Sequence, residues 1–110
     1  MRSQKTKHLD VLLVSTINET IVDIFGKPDG VTFFLNILKN ACNLRPEDAP
    51  ERLEEFSSSL RAVLGSGAIP VERQILKNMY SKLGLRFQER KTYSFSDYIR
   101  ELESVEVVPK

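Results

Sequence analysis

The chain has 110 residues and a formal net charge of +1, with 41% apolar and 28% charged residues. That balance fits one globular domain with a single core. It excludes a low-hydrophobicity disordered chain and a membrane span, since the longest purely apolar run is Val11-Leu12-Leu13-Val14. The opening Met1–His8 is basic and lacks a signal-peptide apolar core, so a soluble, cytoplasmic protein is expected.

Residues 1–8 are read as a flexible basic start, 9–104 as one helical domain and 105–110 as a tail. In the domain, Leu9, Leu13, Thr16, Ile17, Thr20, Ile21 and Ile24 recur at steps of three and four, which places them on one face of a first helix. Gly26 and Pro28 stop it, and Asp29 is a plausible N-cap for the next segment. The second segment, Val31 to Cys42, is apolar nearly all round. At about twelve residues without Gly or Pro it reads as a helix, and as the most buried one. Asn36, Lys39 and Asn40 mark its wet side. Phe33 and Phe34, adjacent in sequence, are expected to point different ways, one into the core and one toward a partner.

A two-proline connector, Leu44 to Pro50, leads to a third helix expected from about Pro50 to Leu64, with Pro50 at its first position and Glu51 and Glu54 at the positive end of its dipole. Leu53, Phe56, Leu60, Val63 and Leu64 form its apolar stripe, and Ser57, Ser58 and Ser59 a polar arc. Gly65-Ser66-Gly67-Ala68 is the corner into a fourth helix whose stripe is Ile69, Glu72, Ile75, Leu76, Met79, Tyr80 and Leu83. Pro70 sits in its first turn and Gly84 ends it. The two stripes are expected to fold face to face, with the aromatic-rich second helix beneath them. Alternation from Leu85 through Phe87 and Tyr93 to Phe95 allows an extended segment that could pair with Val105, Val107 and Val108. Ser94 or Ser96 caps a short fifth helix, with Asp97 completing a capping box from Ser94 and Tyr98, Ile99 and Leu102 facing inward. The expected fold is thus all-α or mostly α, a compact bundle of about five helices with or without a two-stranded C-terminal pairing.

The run Glu55-Phe56, Leu60-Arg61, Leu64-Gly65-Ser66-Gly67-Ala68, Glu72-Arg73-Gln74-Ile75-Leu76-Lys77 and Tyr80-Ser81-Lys82-Leu83-Gly84-Leu85 resembles an archaeal family, the Nitrosopumilus output domain. Ile24-Phe25-Gly26, the apolar second helix and Pro46-Glu47-Asp48-Ala49-Pro50 also look like that family, so the similarity spans roughly residues 15 to 85. It implies a compact helical domain with an output role in archaeal signalling or regulation. It brings no catalytic residues.

Chemistry-bearing residues are sparse. Cys42, the single cysteine, reads as a small core residue, and one histidine, His8, cannot assemble a zinc site with it. The serines have no GxSxG elbow, and the carboxylate pairs Glu54/Glu55 and Glu72/Glu89 read as solvated charge, so neither an enzyme nor a cofactor is expected. Charge is sorted: residues 47–55 hold five carboxylates against one arginine, and residues 72–91 six cations against two carboxylates, a pattern that allows attraction within the fold or between two copies of it and so hints at self-association.

Three partner classes follow. The first is another protein, above all a second copy of the chain, met by Phe33, Phe34, Ile37, Val105 and Val107. The second is nucleic acid, with helices three and four as a helix-turn-helix variant, Arg73, Lys77 and Lys82 on phosphates and Arg2, Lys5 and Lys7 as an arm; near neutrality argues against it. The third is a small anion at Ser66 and Gly67 with Arg73, although no lysine follows the glycines as in a Walker loop.

Overall fold

In a computed structural model, the backbone of residues 4–104 and the side chains of residues 8–104 are described. Five α-helices follow in order: α1 (Gln4–Phe25), α2 (Pro28–Cys42), α3 (Leu53–Leu64), α4 (Ala68–Lys82) and α5 (Phe95–Ser104). Short 3-10 turns, Pro46–Glu51 and Gly65–Gly67, lead into α3 and α4. No strand occurs among the described residues: the stretch from Leu85 to Arg90 is irregular and Phe95 is already helical, so the two-stranded option is not realised there. Arg2, Val105, Val107 and Val108 lie outside the described residues, as do the side chains of Lys5 and Lys7.

The stops act where the sequence places them. Gly26 N–H donates to the Val22 carbonyl at 2.8 Å, and Pro28 opens α2, where its missing N–H is no loss, so Lys27 holds the cap position and Asp29 lies inside the first turn rather than capping it. Asn43 adopts the left-handed conformation at the end of α2 (φ 52°). There the Asn43 and Leu44 amides donate to the Lys39 and Leu38 carbonyls, and Leu44 enters the core. Gly65 (φ +59°) makes the corner between α3 and α4, a backbone shape closed to most side chains. At α5 the capping box forms: the Ser94 amide donates to Asp97 Oδ2 at 3.0 Å, and the Asp97 amide to Ser94 Oγ at 3.3 Å. Those bonds hold the Asp97 carboxyl below its ordinary range.

The α1 stripe is buried from Leu9 through Leu13, Thr16, Ile17 and Thr20 to Ile21. Its two threonines reach backward to carbonyls one turn earlier, Thr16 to Leu12 and Thr20 to Thr16, each at 2.7 Å, so neither hydroxyl is stranded in the core. Ile24 is exposed, the end of α1 being held instead by Phe25, which stacks on Phe34, and the helix begins at Gln4, upstream of the expected boundary.

Among the described residues α4 contacts α1, α3 and α5, whereas α2 contacts α1 and α3 alone. The expectation that α2 is the most buried helix therefore fails. It buries only Phe34 and Leu38, while α4 buries seven side chains from Ala68 to Tyr80. An edge helix has only one face to cover, whatever its composition. For the same reason Cys42 is half-buried rather than internal, and α2 is not wedged beneath α3 and α4.

Three further corrections concern the middle of the chain. Pro50 lies inside the 3-10 turn, and α3 starts only at Leu53. Ile69 is exposed, its place in the stripe taken by Ala68 and Val71. Ser57 and Ser59 are buried, leaving only Ser58 of the polar arc in water.

Candidate functional site

Two surfaces stand out, one apolar and one cationic. The apolar one is the outward flank of α2. Phe34 is 3% exposed and stacks on Phe25 with ring centroids 4.9 Å apart, while Phe33, one residue away, is 68% exposed. One helical step of about 100° produces that split. Ile37, half-buried, and Ala41, exposed, follow Phe33 at four-residue intervals and so form one ridge with it. Among the exposed positions of α2 only Asp29 and Lys39 are charged. Of the residues expected to meet a partner, Phe33 and Ile37 share this ridge, whereas Phe34 is withdrawn into the core.

The cationic surface is a groove of about 590 Å³ between the first half of α4, the start of α5 and the 85–94 loop, with Arg61 of α3 on its rim. Arg61, Arg73, Arg90 and Lys91 line it against Glu72 and Glu89. Arg73 pairs with Glu89. Arg90 pairs with Glu101 at 3.0 Å and lies over the Tyr93 ring at 4.8 Å. Phe87, wedged edge-on to Tyr80 (5.4 Å) and against Tyr98 (5.2 Å), ties the loop to α4 and α5. Tyr98 Oη further receives the Arg90 amide at 2.6 Å, fixing the loop's cationic end. Tyr80, packed beneath, has its hydroxyl pKa pushed up to about 12 by burial and by the Glu101 carboxylate.

Glu72 is 7% exposed at the inner side of this groove. It is not the solvated carboxylate expected from sequence. Ser57 Oγ donates to its Oε2 across the α3–α4 seam, and Arg61 approaches Oε1 at 3.9 Å. Burial raises its pKa, against the opposing pull of the serine hydrogen bond and the arginine. The sequence did carry a sign of this pair, since Ser57 adjoins Phe56 in the α3 stripe and Glu72 occupies a stripe position in α4.

The expected phosphate contacts do not share one face. Arg73 lies on the groove, Lys77 is exposed one turn on, and Lys82 binds Glu19 of α1 at 2.6 Å. Nine residues separate Arg73 from Lys82, about two and a half helical turns, which puts them on opposite sides of α4. Ser66 and Gly67 are exposed at the corner and do not line the groove with Arg73. Arg61, Arg90, Lys91 and Tyr93 were not singled out from sequence, although Arg90-Lys91-Thr92-Tyr93 is a compact cation and aromatic cluster in a loop.

Among the described residues no helix is long and apolar enough to cross a membrane, and no group of three or more potential metal-binding His, Cys, Asp or Glu side chains is found. Neither a protein family, nor a curated protein, nor a solved structure matches this chain, so the resemblance to the archaeal output domain rests on the residues quoted for it.

Proposed function

We propose that this chain is a non-catalytic, helical protein-interaction module whose α2 flank pairs with a second copy of itself. The single observation that carries this reading is the 68% exposure of Phe33 at the head of a ridge completed by Ile37 and Ala41. A large ring in water on a face with few charges is the composition of an interface centre, where aromatic residues are enriched and charges depleted. The ridge also suits itself. Turned antiparallel about a two-fold axis at Ile37, it sets Phe33 of one copy beside the small Ala41 of the other, large against small at both ends. The regulatory output role implied by the family resemblance would then be exerted through this contact.

Nucleic acid has less in its favour as a partner, because Arg73 and Lys82 face opposite sides of α4 and are each held by a carboxylate. Light scattering tests the preferred reading: a two-chain mass at high micromolar concentration is expected, falling to one chain in Phe33→Ser. A one-chain mass for the unaltered protein, or a dimer indifferent to Phe33→Ser, would overturn it.

A further inference from the structure

The cationic groove is separate from the α2 flank and needs its own account. Its lining holds four cations against two carboxylates, and they are unequally committed. Arg73 is paired with Glu89, and Arg90 with Glu101 and the Tyr93 ring, so the charge of both is already partnered. Lys91 has no ion-pair partner among the described residues, and Arg61 has only the distant contact at 3.9 Å to Glu72. These two are left to meet an incoming anion. Glu72, 7% exposed at the inner side of the groove, has one carboxylate oxygen taken by the Ser57 hydroxyl and the other facing Arg61.

The other half of the lining is aromatic. Phe87 and Tyr93 are half-buried, each held against Tyr98, and they present ring surface beside the cations. A volume of about 590 Å³ lies within the range of small-molecule pockets. A guanidinium fork and an ammonium suit a phosphate, and ring faces suit a planar group joined to it. The geometry points to this groove as a binding site for a small aromatic phosphate monoester, with Arg61 and Lys91 on the phosphate and Phe87 and Tyr93 against the ring.

The test is titration of the intact chain with phenyl phosphate, adenosine 5′-monophosphate and inorganic phosphate, followed by calorimetry and by the NMR signals of Phe87 and Tyr93. Saturable binding of at least one of the two aromatic esters is expected, tighter than that of inorganic phosphate. Arg61→Gln and Lys91→Gln each weaken it about tenfold. Lys39→Gln on α2 leaves it unchanged, and Glu72→Gln, which keeps the serine contact and removes the charge, tightens it. Circular dichroism confirms that each variant is folded. No saturable binding below about 5 mM overturns the assignment. So does equal affinity for inorganic phosphate, indifference to Arg61→Gln and Lys91→Gln, or weaker binding in Glu72→Gln.

Discussion

α2 and α4 are the same length, fifteen residues each, and α2 is the more apolar of the two, yet it is α4 that buries more of its side chains. α4 is enclosed by α1, α3 and α5, and it buries even a carboxylate, Glu72. α2 lies at the edge against α1 and α3, holds two side chains in the core and leaves a phenylalanine in water. Position in the bundle, rather than composition, decides what a greasy side chain contributes. The same residue type, isoleucine, is fully buried at Ile75 on one rod and half-exposed at Ile37 on the other.

The strongest way to break this contrast is to make the same cut on both rods. Ile75→Ala on α4, where the side chain is fully buried, is expected to cost about 4 kcal/mol in urea unfolding, through lost transfer energy and an unfilled cavity. Ile37→Ala on α2, where the side chain is half-buried, should cost about 1 kcal/mol. Equal losses would mean that α2 is as central as α4.

Ser57→Ala tests how α4 tolerates a buried acid. It strips the donor from Glu72 inside the α3–α4 seam, and a loss of ~2 kcal/mol is expected by chemical denaturation. The end of α2 offers a backbone test. Asn43→Val forces a β-branched residue into the left-handed conformation and should cost ~1.5 kcal/mol, whereas Asn43→Gly should be close to neutral in thermal melts.

A smaller effect sharpens the electrostatic side of the comparison. Folding raises the Glu72 pKa above its ordinary value of 4.5, so the native state holds this proton more tightly than the unfolded chain. The contribution to stability is complete below pH 4.5 and is lost as pH rises through the folded pKa. Glu72→Gln should therefore gain roughly 0.5 kcal/mol near neutral pH, with the gain over the parent chain shrinking as pH falls toward 4. A gain that grows on acidification would reverse the assignment. Least of all, Phe33→Ala should change single-chain stability by less than ~0.5 kcal/mol while weakening self-association, which sedimentation at several concentrations separates.

Local signals carried far in this chain because they act over a few residues. The period of Leu9, Leu13, Ile17 and Ile21, the stops at Gly26 and Gly84, the corner at Gly65 and the Ser94–Asp97 capping box each depend on backbone sterics or on contacts within one turn. The five-helix, all-α architecture follows from them.

What the tertiary structure alone decided is which stripe faces inward and what meets across a seam. Nothing in Val31 to Cys42 says that this segment lies at an edge, because an edge is defined by the helices that are absent beside it. Nor do Ser57 and Glu72, fifteen residues apart, announce a buried pair, or Arg61 and Lys91 a shared groove. Those meetings depend on the angle at which α3, α4 and the 85–94 loop are laid together. That angle is a property of the whole packed core and is carried by no single segment.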